Sequence, residues 1–376
     1  MQSKSDGQAL RVALDTTFAG TNPTGVGLYS RRLAGHLRVL AEEENLTLLC
    51  IGPACRAKTS SGLGATMQEW PIYTQLAVPI FLARNHVEII HTTSHLGPLV
   101  STARRVVTVH DLLFLRYPND YNPIWLAITK ALLPSVLRRA TAIIADSVST
   151  ALDIQHFYGT PKRKINVIYP GIDRPSQLHL ENENNTTATG RPFDGAPYIL
   201  CLGPWVGRKN LRVVIAAFER LAERHENVKL VVTGSKPRGM KGEGPEELMS
   251  RLPPHIRRRV HLNGHLPSAE LQEIIRGASI LAYPSRFEGF GLPPLEAMSV
   301  GVPVVASDTQ VAREVYGDAA LYAPSDDPDK WANMLERVLE DTALQQRLKR
   351  AGLARSDRFS WERCAKQCVA QYRQVR

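Results

Sequence analysis

The sequence predicts an α/β protein built from two doubly wound parallel sheets. Three observations carry that expectation. Short, continuous apolar runs recur along the chain, as expected of strands covered on both faces. Segments with apolar residues at helical spacing separate them. The alternation stops once, at residues 174–196, and then restarts, and 376 residues exceed one ordinary core.

The first half opens on LRVALD (10–15) as a strand, followed by GLYSRRLAGHLRVLAEE (27–43) as a helix. LTLLCIG, VEIIHTT, RRVVTVHD, ATAIIADS and KINVIYPG then read as strands in turn. The interruption, RPSQLHLENENNTTATGRPFDGA (174–196), is rich in Asn, Thr, Gly and Pro and reads as a linker or surface loop. Beyond it PYILCLG, VKLVVTG, VHLNGHL, SILAYPS, VPVVAS and AALYAP are strands. NLRVVIAAFERLAERH, SAELQEIIRGA, PLEAMSVG and DPDKWANMLERVLED are helices, and two more helices follow. The expected organisation is a first domain over 1–173, the linker, a second domain over 197–356, and a closing helix over 357–376.

Hydrophobic residues make up 43% and charged residues 22%, the balance of a soluble globular protein. Residues 1–8 lack the apolar core of a signal peptide. The run IWLAITKALLPSVL (124–137) carries Lys130 and Pro134 and is too short to span a bilayer. A cytosolic protein is expected. The net charge of +10 suits a phosphorylated small molecule, nucleic acid or an anionic membrane surface. No zinc-finger, KH or RRM signature accompanies it, so nucleic acid is not expected as a partner. The five cysteines show no zinc-site spacing and read as free thiols, with Cys364 and Cys368 on one helix face.

Four stretches carry candidate chemistry. TGVGLYS (24–30) lies between a strand and a helix, where Gly25 and Gly27 would let backbone amides approach an anion. GPWVGRKNL (203–211) ends a strand at Gly203 and places Arg208 and Lys209 at the mouth of a helix, with Asn210 as an N-cap. A guanidinium fork and an ammonium point charge suit a diphosphate. His110 and Asp111 close the strand VTVHD, where the imidazole could hydrogen-bond a sugar hydroxyl or a leaving oxygen. A metal held by His91, His95 and Asp111 is the rival use. Finally, RFEGFGLPPLEAMS is a glycine-hinged loop opening a helix at Pro293 and Pro294. It puts Glu288 in the loop, Glu296 in the helix, and the amides of Phe290 to Leu292 at the helix's positive end. Two carboxylates there fit either a glycosidase pair or acceptors for sugar and ribose hydroxyls.

FEGFGLPPLEAMSVGVPVVAS resembles the Glu-seven-residues-Glu signature of retaining glycosyltransferases with the GT-B fold, family four in the sequence classification. GRKNL, TGVGLYS, VTVHDLLFLRYPNDY and the closing RFSW resemble the same family at matching places, from about residue 10 to 372. The resemblance implies two Rossmann-like domains facing across a cleft. It implies that Glu296 accepts hydrogen bonds from the donor's ribose. Glu288, with the amides of Gly289, Phe290, Gly291 and Leu292, would lie near the transferred sugar. Arg208 and Lys209 would neutralise the diphosphate in place of a metal, so neither metal nor cofactor is expected. His110 would contact the donor sugar, Gly25, Gly27 and Gly203 would border the donor, and the last helix would return to the first domain. Leu28 departs from the family, where Arg commonly follows GVG.

HDLLFLRYPNDY resembles relatives that use GDP-mannose to build bacterial surface polysaccharide. The expected partners are a nucleotide-sugar donor and a saccharide or polyprenyl-linked acceptor, with the protein peripheral on the inner face of the cell membrane. UDP-glucose or UDP-N-acetylglucosamine is the alternative donor. An inactive scaffold that binds a membrane or nucleic acid is the alternative class.

Overall fold

The structure, a computed structural model, describes residues 9–17, 25–52, 73–173, 195–235 and 244–376. The linker expected over 174–196 therefore lies outside the described residues except for its last two. The chain divides into two compact units. The first takes residues 1–112, Pro123–Gly171 and Phe359–Arg376, and the second takes Leu113–Asn122 and Ile172–Arg358.

In the first unit the strands are β1 (Leu10–Asp15), β2 (Leu46–Ile51), β3 (Ile89–Thr92), β4 (Arg104–Val109), β5 (Ala142–Ala145) and β6 (Ile165–Val167). They form one parallel sheet in the order β2-β1-β3-β4-β5-β6. Val12, Leu14, Ile89, Val106 and Ile144 are fully buried, as the unbroken apolar runs demand of strands covered on both faces. The helix Gly25–Glu43 buries Tyr29, Leu33, Leu37 and Leu40, a stripe at helical spacing against the sheet.

The final helix, Trp361–Val375, belongs to this unit and starts on the side chain of Ser360, which accepts from the Arg363 amide. It buries Trp361, Cys364, Cys368 and Tyr372 in the same core as Tyr29 and Leu33. The two cysteines share one face and their thiols are free, as is that of Cys201. A side chain at Gly171 would meet the Trp361 amide nitrogen at 2.1 Å, so only glycine lets the chain pass the start of this helix. Cys50, at the end of β2, departs from the expected free thiols: it is disulfide-bonded, and its partner lies outside the described residues.

In the second unit the strands are β7 (Tyr198–Leu202), β8 (Lys229–Thr233), β9 (Val260–Asn263), β10 (Ile280–Tyr283), β11 (Val304–Ser307) and β12 (Ala320–Ala323). The parallel order β12-β11-β10-β7-β8-β9 is that of a Rossmann sheet, with the strand order reversing between β7 and β10. The helices Leu211–Ala222 and Pro328–Glu340 pack on it through Phe218, Trp331 and Leu335. Burying each such side chain contributes about 1.5–3 kcal/mol.

Residues Leu113–Asn122 cluster with the second unit, whereas the sequence places them in the first domain. The physical reason is aromatic and cationic contact. The Arg116 guanidinium lies 5.1 Å from the centre of the Phe287 ring, and the Tyr117 ring lies 5.5 Å from it. Among the described residues, no helix is long and apolar enough to cross a membrane.

Candidate functional site

In open parallel sheets ligands bind beyond the carboxyl ends of the strands, where the strand order reverses. In the second unit that point lies between the ends of β7 and β10, and both candidate motifs sit there. β7 runs out at Leu202 into Gly203, and β10 runs out at Tyr283 into the RFEGFG loop. A Cβ on Gly203 would come within 2.9 Å of the Thr233 carbonyl oxygen, so glycine is required where this loop leaves the sheet. The two loops are tied by their backbones, since the Arg286 amide donates to the Arg208 carbonyl at 2.9 Å.

Arg208 and Lys209 lie in a short 3-10 turn, Gly207–Lys209, directly before the helix Leu211–Ala222. Both converge on Glu288. Arg208 Nη1 is 3.1 Å and Lys209 Nζ 2.7 Å from the same oxygen, Oε1. Lys209 also donates to the Tyr283 hydroxyl at 3.0 Å. Burial alone would raise the Glu288 carboxyl, but the two cations outweigh it and hold the group down at about 2. Two positive charges and one negative leave this cluster cationic. Asn210 takes the N-cap position with φ 53°, but its side chain makes no capping bond. Its amide instead donates to the Ser325 carbonyl, which corrects the expected capping role.

The helix opened by this loop spans Leu292–Ser299, with proline in its first turn as expected. Gly291 precedes it at φ 90°, a conformation that side chains disfavour, and a Cβ there would meet the Tyr316 hydroxyl at 2.2 Å. That hydroxyl donates to the Gly291 carbonyl and fixes the turn. Phe290, the residue before Gly291, is buried. Glu296 is partly buried in the helix. Burial, then the negative charge of Asp173, raises its carboxyl to about 7. The two glutamates of the motif are thus pushed in opposite directions, because one faces two cations and the other faces an acid.

The remaining candidates belong to the first unit. The helix begins at Gly25, so Gly25 and Gly27 both lie in its first turn, whereas the sequence suggests a helix starting at Gly27. His110 follows the last residue of β4 and is buried, with both ring nitrogens engaged. Nδ1 is 2.7 Å from Asp146 Oδ2, and Nε2 is 2.9 Å from the Thr93 carbonyl oxygen. Burial would lower the imidazole, but Asp146 and the Thr93 carbonyl raise it. Contact with a donor sugar hydroxyl, expected from the sequence, would require His110 to exchange one of these bonds.

Asp146 was not legible as a site residue, although a signal existed. β4 pairs with β5 so that Val109 stands opposite Ala145, and the next residues in register are His110 and Asp146. Two polar residues that end neighbouring parallel strands emerge side by side.

The rival metal reading of His91, His95 and Asp111 is not supported by the geometry. His91 uses both nitrogens, toward Tyr372 at 2.6 Å and Thr108 at 2.8 Å. Burial and then the charge of His110 push both His91 and His95 down to about 3. Among the described residues one group, His225, Glu336 and Glu340, could hold a metal ion. There Arg224 already grips both Glu336 oxygens, at 2.6 and 3.0 Å.

Comparison with solved structures settles the architecture. Sucrose-phosphate synthase from Thermosynechococcus elongatus superposes with a TM-score of 0.71 at 19% identity, over 97% of this chain and 99% of that one. The chain has the GT-B glycosyltransferase fold. Within it, residues 183–355 match the family described as Glycosyl transferases group 1, and residues 53–174 match Glycosyltransferase Family 4. Among curated relatives, O-antigen chain mannosyltransferase B of Escherichia coli is 35% identical over 47% of this chain and 45% of its own length. A D-inositol 3-phosphate glycosyltransferase of Corynebacterium urealyticum is 31% identical over 64% of this chain and 58% of its own length. The matches thus span about half the length of these two relatives. The GT-B sheet of the second unit carries the cationic cluster, and that of the first carries the His110–Asp146 pair.

Proposed function

We propose that this chain is a retaining, metal-independent glycosyltransferase that moves mannose from GDP-mannose to a saccharide or polyprenyl-linked acceptor in surface polysaccharide synthesis. The observation that carries the reading is the convergence of Arg208, Lys209 and Glu288 where the strand order reverses between β7 and β10. A nucleoside diphosphate leaving group needs fixed positive charge in a site that excludes water, and Arg208 and Lys209 supply it. The likeness to an O-antigen chain mannosyltransferase supports mannose as the sugar.

In this reaction the bond from the anomeric carbon to the diphosphate oxygen breaks, and the acceptor oxygen bonds to the same face of the sugar. The acceptor's proton passes to a diphosphate oxygen. No enzyme nucleophile is needed. Glu296 accepts from the ribose, and Glu288 lies by the transferred sugar while orienting the two cations.

A second reading is favoured by the D-inositol 3-phosphate glycosyltransferase relative, namely a small phosphorylated acceptor, and a UDP-sugar is the alternative donor. A thermal-shift panel of GDP-mannose, UDP-glucose, UDP-N-acetylglucosamine and ADP-glucose separates the two. A donor at a hundredfold its dissociation constant adds about 2.7 kcal/mol to stability. Stabilisation by GDP-mannose alone, with sugar transfer to a membrane-extract acceptor, is the expected result. Stabilisation by a UDP-sugar alone overturns the mannose assignment, and no response to any nucleotide sugar overturns the enzyme reading.

A further inference from the structure

We propose that Asp146 holds His110 as a doubly protonated imidazolium that donates from both ring nitrogens, at the ligand end of the first unit's sheet, so that it is not a proton acceptor. The Thr93 carbonyl oxygen has no hydrogen to give, so the 2.9 Å contact with Nε2 requires a proton on Nε2. The other nitrogen, Nδ1, faces the Asp146 carboxylate at 2.7 Å, the length of a charge-assisted N–H···O bond. A neutral ring would set a lone pair against one of these two oxygens. Asp146 is itself buried, and its second oxygen, Oδ1, has no hydrogen-bond partner among the described residues. Its hydrogen bonding is thus directed to His110.

The surroundings agree. Around His110 stand Asp146 beyond β5, Asp111 next in the chain, His91 on β3, His95 in the loop after it, and Tyr29 on the helix Gly25–Glu43. The two acids favour the cation. The two histidines are held neutral, partly by His110 itself, so they add no competing charge. Tyr29 meets the imidazole edge to face, at 4.7 Å between ring centres and 76° between planes, and this packing fixes the ring's plane. Asp146 is therefore a positioning residue. It sets the charge and orientation of His110 and need not touch substrate.

This inference rests on the proposed transferase reading only for what the proton does: an imidazolium with both nitrogens protonated cannot deprotonate an acceptor. The test has one arm that is independent of activity. In the full-length, 15N-labelled protein, nitrogen–proton correlation spectra report each histidine ring, and His110→Gln identifies the His110 signals by their loss. Both His110 nitrogens should appear protonated at pH 7, while in Asp146→Asn the ring should lose a proton below the ordinary histidine value. A neutral His110 ring in the wild-type protein at pH 7 overturns the proposal, whether or not the variant folds.

The second arm is the pH profile of kcat/KM. Asp146→Asn should lose about tenfold at pH 8 for each unit by which the His110 midpoint falls, and recover on acidification. His110→Gln should be low at every pH and lack that limb. An Asp146→Asn loss of the same size at pH 5.5 and pH 8 would mark a purely structural role and overturn the positioning claim. A protonated ring without any transferase activity would keep the charge assignment and remove only the transferase reading.

Discussion

Lys209 Nζ lies 2.7 Å from Glu288 Oε1 and 3.0 Å from the Tyr283 hydroxyl, so the buried ammonium has a charged and a neutral partner on the strand-and-loop segment facing it. Arg208 reaches the same carboxylate oxygen at 3.1 Å. Removing Glu288 leaves two cations side by side with little solvent. Glu288→Ala should therefore destabilise the ligand-free protein by about 3–5 kcal/mol. Inorganic pyrophosphate should restore more stability to this variant than it adds to the wild type, since it replaces the missing negative charge. Chemical denaturation with and without pyrophosphate checks both halves. Because the folded-state value of Glu288 is depressed, its contribution is present above the ordinary glutamate range and is lost as the pH falls toward 2.

Glu296 behaves in the opposite sense. Its carboxyl is raised to about 7 by burial and by Asp173, so the folded state holds its proton more tightly than the unfolded chain. The associated stability is present in acid and is lost as the pH rises from about 4.5 to about 7. Glu296→Gln removes that loss and should stabilise the ligand-free protein at pH 8 by up to about 3 kcal/mol. The same variant should bind donor more weakly by about 1.5–3 kcal/mol if the carboxylate accepts from the ribose. Opposite changes in melting temperature and donor affinity are the expected signature. Unchanged affinity would count against the ribose contact.

The sequence disclosed the strands and the two glutamates for a common physical reason. A strand buried on both faces must be apolar throughout, so runs such as YILCL and ILAY are visible by themselves. Charged residues that break such runs at their carboxyl ends stand out against them. Partners brought together from distant positions were not visible. Asp146 is 36 residues from His110, and Arg208 is 80 from Glu288. Only strand order and register join them. Leu113–Asn122 misled for a related reason: position in the sequence put it with the first domain, whereas its packing on Phe287 places it with the second unit.

If Arg208 and Lys209 supply the charge that the diphosphate needs, chelation should matter little. Transfer measured after EDTA treatment should stay within about twofold of the untreated rate, since a lost charge contact of even about 1.4 kcal/mol would cost tenfold. Activity that vanishes on chelation and returns with magnesium or manganese would refute metal independence.

Gly291 offers a test of the loop that separates the two glutamates. Alanine there must adopt φ 90° and meets the Tyr316 hydroxyl at 2.2 Å. The backbone strain alone costs about 1–3 kcal/mol. Gly291→Ala should lose stability and donor binding together. Adding Tyr316→Phe removes the clashing oxygen but not the strain, so the double variant should recover only part of the loss. Full recovery would mean that the backbone conformation itself was not required.

The helix Pro123–Arg139 is the place to test membrane association. It buries Thr129, Leu133, Val136 and Leu137, so part of its apolar content serves the first unit's own core. Ile124 is nonetheless 72% exposed, and Lys130, Arg138 and Arg139 are exposed as well. An apolar tip with basic residues along the same helix suits an anionic bilayer, where each cation near the surface contributes about 1 kcal/mol. Wild-type protein should float with vesicles containing anionic lipid at low salt and be released as salt rises, because exposed charge is screened. Lys130→Glu with Arg138→Glu should abolish flotation. Ile124→Ser should weaken it without changing the salt dependence, since it removes apolar insertion and leaves the charge in place. Failure of the wild type to bind anionic vesicles at low salt would remove the membrane from the proposal and favour a soluble acceptor.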